Sequence, residues 1–186
     1  MSREIDDLQL IDRVLAGEQN VYAQLVERYK SYAFTIAFKV LGVRPDAEEA
    51  AQDAFVKAYH NLGKFNREAK FSTWLYRIVF NTAISMRRSR KMTFQDIPET
   101  VAAQGHDTEK TLEKSDKERF IQMAMARLSE ADRVALTLFY LRELSLEEIG
   151  AITGMPANTA KVRIHRARLR LAEEMKTILK HEALLL

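Results

Sequence analysis

Apolar residues recur along this chain at intervals of three and four, and no stretch sustains the two-residue alternation of a half-buried strand. That periodicity predicts an all-α fold. Leu8, Ile11 and Leu15 outline a first helix ending before Gly17. Asn20 is placed to cap a second helix running through Leu41 to Gly42. Asp46 and Glu49 have capping-box spacing for a third helix, which reaches Leu62 before Gly63 and turns Ala47, Ala50, Ala54, Phe55, Ala58 and Leu62 inward. Ser72 can open a fourth helix extending to about Arg90.

The pattern lapses between Lys91 and Glu118. KMTFQDIPETVAAQGHDTEKTLEKSDKE holds Pro98, Gly105 and few large apolar residues, with 7 acidic side chains against 4 basic. Such a stretch buries too little to offset its ordering entropy. The chain therefore divides into a helical domain over 1–91, a flexible acidic linker over 92–117 and a second helical domain over 118–186. In the second domain one helix ends near Leu128, and another, capped by Ser129, runs to Arg142.

Next comes SLEEIGAITGMPANTAKVRIHRARLRL. Ser145 and Glu148 form a capping-box pair, and Leu146, Ile149 and Ile152 share a face. Gly154 permits a tight turn, and Pro156 suits the entry to a further helix. There Ala160, Ile164, Ala167 and Leu171 make a narrow apolar stripe, while Asn158, Thr159, Lys161, Arg163, His165, Arg166, Arg168 and Arg170 occupy the other faces. A short helix, a glycine turn and a helix with a polar, basic start make up a helix-turn-helix, whose second helix reads the major groove. An αα-hairpin kept soluble by its cations has the same local pattern.

Charge distribution sharpens the choice. Residues 64–91 carry 8 basic and 1 acidic side chain and residues 156–186 carry 7 and 3, whereas 92–155 between them carry 7 and 12. Two segregated cationic blocks fit a polyanion-binding protein better than the net charge of +3 suggests. The first block, KFNREAKFSTWLYRIVFNTAISMRRSRK, interleaves aromatics with cations, as single-stranded nucleic acid requires when bases stack on rings and cations follow phosphates. Trp74, Leu75, Ile78, Val79, Thr82 and Met86 can equally form a core face, with Arg77, Asn81, Ser85 and Arg88 on another. In the third helix Glu49, Gln52 and Asp53 share an outer face. An acidic face repels phosphate, so it meets either a protein or solvent.

Several classes drop out. There is no Cys, and His60, His106, His165 and His181 lack ligand spacing, so no metal site or cofactor is expected. No glutamate has His three residues on, which a carboxylate-bridged metal enzyme in a helical bundle needs, and no phosphate-cradling or nucleophile motif occurs. Charges interrupt every apolar run, and the N-terminus MSREIDDLQL lacks a signal peptide's apolar segment, so a cytoplasmic chain is expected. A dimeric helix-turn-helix repressor would leave the aromatic-basic block and the acidic helix without a task.

DAEEAAQDAFVKAY followed by KFSTWLYRIVFNTAISMRR resembles the second conserved region of bacterial RNA polymerase sigma factors. RLSEADRVALTLFYLRELSLEEIGAITGMPANTAKVRIHRARLRL resembles their fourth region. The two regions alone, joined by a short linker, resemble the extracytoplasmic-function type. The resemblance implies a non-enzymatic factor that gives core polymerase its promoter specificity. It places Glu49, Gln52 and Asp53 on the polymerase clamp helices, with a further contact to the flap of the large subunits. It assigns the melted minus-ten element to Phe65, Asn66, Arg67, Lys70, Phe71, Arg77, Asn81, Arg87 and Arg88. It assigns the duplex minus-thirty-five element to Asn158, Thr159, Lys161, Val162, Arg163, His165 and Arg166, although Val162 stands where relatives often carry a small polar residue. The linker would thread the polymerase's RNA path. An anti-sigma factor is implied as a further partner, with the free chain monomeric and not inserted in a membrane.

Overall fold

Among the described residues, four helices build the first half: α1 (Asp7–Leu15), α2 (Tyr22–Leu41), α3 (Arg44–His60) and α4 (Phe71–Thr93). Four more build the second: α5 (Leu112–Ala126), α6 (Glu130–Arg142), α7 (Leu146–Thr153) and α8 (Ala157–Ala183). The computed structural model describes residues 6–93, 112–142 and 144–183, and no strand occurs among them. Most of the linker expected over 92–117 lies outside the described residues. Its two edges are helical, because α4 continues to Thr93 and α5 begins at Leu112.

In the first half α2, α3 and α4 pack on one another, and the small side chains of α3 decide how closely. Ala47, Ala50, Ala51, Ala54 and Ala58 are all buried, so the flanking helices approach a nearly smooth surface. Leu25, Ile36, Leu75, Tyr76 and Val79 close over that surface from α2 and α4. In the second half α8 packs against α5, α6 and α7, with Ala160, Ile164 and Ala167 buried as their spacing predicts. The halves also touch: α4 packs on α7 and α2 on α6, so one apolar core runs through both.

Some local expectations shift. Leu8 and Leu15 are exposed, while Leu10, Ile11 and Val14 form the buried face of α1. Asn20 lies in a 3-10 turn, Gln19–Val21, and caps nothing by its side chain. Asp46 sits inside α3, because Pro45 already occupies the first turn of a helix that starts at Arg44. Its carboxylate is buried and accepts a hydrogen bond from Arg90 of α4. The capping box of α7 forms as expected, with the Glu148 N–H donating to Ser145 Oγ at 3.1 Å and the Ser145 N–H to Glu148 Oε2 at 2.9 Å. Gly154 then takes the left-handed conformation, φ 76°, that ends the helix.

Candidate nucleic-acid interface

The connection between α3 and α4 begins as a 3-10 turn, Leu62–Lys64, and reaches α4 through Phe65 to Lys70. Phe65 and Phe71 anchor it: both are buried, their rings 5.7 Å apart and 5.4 and 5.7 Å respectively from that of Trp74. Both are expected among the minus-ten contacts, and here their rings pack inward on each other and on Trp74. The outer residues Asn66, Arg67 and Lys70 are exposed. Arg67 holds a left-handed conformation, φ 63°, uncommon outside glycine, and ion-pairs with Asp12 of α1. Asn66 Nδ2 donates to Glu68 at 2.6 Å.

Beside this loop, α3 and α4 enclose an open cleft of about 430 Å³, lined by Lys57, Asn61, Lys64, Trp74, Ile78, Asn81, Thr82 and Ser85. Its size falls within the roughly 300–1,000 Å³ of small-ligand sites. Trp74 and Ile78 supply apolar walls, and Asn81, Ser85 and the two lysines supply polar groups. Such a lining can receive one flat heterocycle and hydrogen-bond its edge. Lys57 and Asn61 escaped the sequence reading, although they lie one turn apart at the end of α3, Asn61 just past its last residue. Asn61 Nδ2 donates to the Lys57 carbonyl at 2.8 Å, and Lys57 Nζ lies 3.3 Å from Thr82 Oγ1. Arg77 and Arg88 stand exposed on α4, while Arg87 ion-pairs with Glu130 of α6.

On α3, Glu49, Gln52 and Asp53 are exposed. Exposed Val56 lies one turn further along, and Arg90 Nη2 is 3.5 Å from Glu49.

In the second half the start of α8 offers Asn158, Thr159, Lys161, Val162, His165 and Arg166 to solvent. Arg163 does not join them. Its side chain is half-buried, with Nη1 3.5 Å from Asp132 of α6. The turn before α8 is close-packed: a Cβ on Gly150 would lie 2.6 Å from the Met155 carbonyl oxygen.

Glu148 joins the halves. Its Oε1 lies 2.9 Å from Lys70 Nζ and accepts from Thr73 Oγ1 at 3.3 Å. Burial pushes its carboxyl upward. The Ser145 N–H outweighs that together with Lys70 and Thr73, leaving it below the usual carboxylate range. Where α2 meets α6, burial and the Arg133 guanidinium push the Lys39 ammonium down.

Comparison with known proteins matches residues 25–93 to Sigma-70 region 2 and residues 120–171 to Sigma-70, region 4. The ECF RNA polymerase sigma factor SigW of Bacillus subtilis (strain 168) is 34% identical over 90% of this chain and 96% of its own. The RNA polymerase sigma-H factor of Pseudomonas aeruginosa is 30% identical over 97% and 99%. Among solved structures, the sigma factor RpoE of Bartonella quintana, in complex with the anti-sigma factor NepR, superposes with a TM-score of 0.69 at 28% identity, covering 83% of this chain and 96% of that one. With both regions in order and relatives matched nearly end to end, the chain belongs to the extracytoplasmic-function (ECF) RNA polymerase sigma factors.

Proposed function

We propose that the two halves divide promoter recognition between them once the chain is mounted on core RNA polymerase. The first half, residues 1–91, docks through the acidic face of Glu49, Gln52 and Asp53 and holds the melted minus-ten strand. The cleft around Asn81 receives an unstacked base, while Asn66, Arg67, Lys70, Arg77, Arg87 and Arg88 follow its phosphates. The second half, residues 118–186, lays the start of α8 in the major groove of the minus-thirty-five element. Asn158, Thr159, Lys161, Val162, His165 and Arg166 face the DNA there. The observation that carries the reading is the cleft: an aromatic wall and polar groups beside exposed arginines suit a flipped base.

The chain acts without chemistry of its own, as a specificity subunit in the cytoplasm, where its polymerase works. No helix among the described residues is long and apolar enough to cross a membrane. An anti-sigma factor holds it inactive, a reading supported by the Bartonella relative's complex.

The test is transcription from a genomic template by purified core polymerase, with and without the chain. Transcripts with defined starts that depend on the chain are the expected result. A chain that neither binds core nor changes the transcripts would end the proposal.

A further inference from the structure

Asp132 lies in the first turn of α6 and is almost wholly buried, its side chain 2% exposed. A buried carboxylate needs partners, and both of these come from α8. Arg170 donates to Oδ2, and Arg163 Nη1 lies 3.5 Å from Oδ1. The arginines are two helical turns apart, so one carboxylate grips α8 at two heights on the same side. On the helix wheel this side flanks the stripe of Ala160, Ile164 and Ala167, and it is turned away from Asn158, Val162 and His165. Arg163 Nε is buried without a hydrogen-bond partner, so this guanidinium has been drawn inward at a cost.

We infer that Asp132 is a positioning residue for upstream-element reading: through Arg163 and Arg170 it fixes the rotation of α8, so that Asn158, Val162 and His165 meet base edges. Arg163 then serves reading from inside the domain, as a rotational stop. The stripe alone sets rotation loosely, because two of its members are alanines. A charge pair off to one side removes that freedom. Base-edge contacts depend on such orientation, whereas contacts to the phosphates tolerate small rotations.

The inference rests on the promoter-reading proposal. Its test uses the full chain with core polymerase and a promoter selected from a randomised library by the wild-type holoenzyme. The readout is transcription from that promoter divided by transcription from a copy with a scrambled upstream element. Assays run well below the melting temperature of each variant, and affinity for core is measured alongside. D132N and R163M are each expected to lower the ratio about five- to tenfold with core affinity unchanged. The double variant loses the Arg170 pair as well and buries no unpaired cation, so it should fall as far as D132N alone, within about twofold.

Should D132N fail to fold, R170M decides in its place, because Arg170 is largely exposed and its loss strands no cation: a lowered ratio with core affinity unchanged is expected, and a wild-type ratio would overturn the inference. Losses that multiply in the double variant, or a D132N ratio equal to wild type, would overturn the inference by making Arg163 a DNA contact of its own. If the wild-type holoenzyme enriches no promoter, the promoter-reading proposal fails, and the anchor's role with it.

Discussion

Glu148, the carboxylate of the α7 capping box, also reaches Lys70 in the loop that precedes α4, with 2.9 Å between Oε1 and Nζ. One side chain thus closes a helix end and ties the two halves together. Removing it should separate these roles. Glu148→Ala loses the cap and the tie and is expected to cost about 1–2 kcal/mol in urea unfolding at neutral pH. Glu148→Gln keeps the reciprocal capping geometry and loses only the ion pair. Lys70 is largely exposed, so that loss should stay below about 1 kcal/mol.

The same carboxyl makes the tie sensitive to acid. Its pKa is lower in the folded chain than the ordinary 4.5. The stabilisation it gives is therefore complete above about that pH and disappears as pH falls through the lower folded value. A series of unfolding curves from pH 7 to 3 should show wild type losing its advantage over Glu148→Gln only at the acid end. A constant difference across the range would mean that the carboxylate charge plays no part.

Contact between the halves conflicts with simultaneous reading of both promoter elements. Elements about 25 base pairs apart lie about 85 Å apart at about 3.4 Å per pair. Lys70, in the loop before α4, stands 2.9 Å from Glu148, and Gly150, two residues on, packs against Met155 and Ala157, where α8 begins. With Lys70 against Glu148 the two DNA-facing surfaces cannot cover that distance. The chain has no Cys, so Lys70→Cys with Glu148→Cys provides a unique pair for a short cleavable thiol crosslinker. Crosslinking should abolish transcription from promoters that need both elements, and cleaving the linker should restore it. Full activity while crosslinked would show that the contact is compatible with initiation.

Gly150 tests the turn between α7 and α8. Glycine inside a helix is usually about 1 kcal/mol worse than alanine, so Gly150→Ala would ordinarily stabilise. Here the added methyl meets the Met155 carbonyl oxygen at 2.6 Å, and a backbone atom cannot swing aside as a side chain can. The clash should outweigh the propensity gain and leave a net loss of about 1–3 kcal/mol, measured by thermal unfolding. A raised melting temperature would show that the turn yields.

What could be read in advance was what depends on near neighbours. The Ser145–Glu148 box, the Gly154 turn and the Ala160–Ile164–Ala167 stripe are local patterns, and all three are present. Two local expectations also shift, the caps of Asn20 and Asp46, where neighbouring residues start the helix elsewhere; the other shifts lie where distant partners decide. Arg163 has the spacing of a groove-facing cation, yet Asp132, in another helix, draws it inward. Phe65 and Phe71 look like stacking surfaces beside basic residues, until their packing around Trp74 buries them. Periodicity picks Leu8, Ile11 and Leu15 for α1, although Leu10, Ile11 and Val14 satisfy a second helical stripe. The packing of α1 against α2 selects the second. Lys57 was invisible as a cleft residue for the same reason: its neighbour Thr82 lies 25 residues away.

Asn81 gives the sharpest test of the cleft. Its side chain is exposed and lines the cleft with Trp74 and Ser85, so trimming it leaves the core untouched. Asn81→Ala should therefore melt within about 0.5 kcal/mol of wild type, as surface changes usually do. It should bind core polymerase unchanged, because the acidic face of α3 proposed to dock there is elsewhere. What it should lose is promoter opening, by about five- to a hundredfold, if its amide contributes the roughly 1–3 kcal/mol of a good base-edge contact. Permanganate reactivity of unpaired thymines at the promoter reads opening directly, and a pre-melted template should recover part of the defect as unpairing is supplied in advance. Equal losses of core binding and opening would make Asn81 a structural residue and leave the cleft without its role in holding a base.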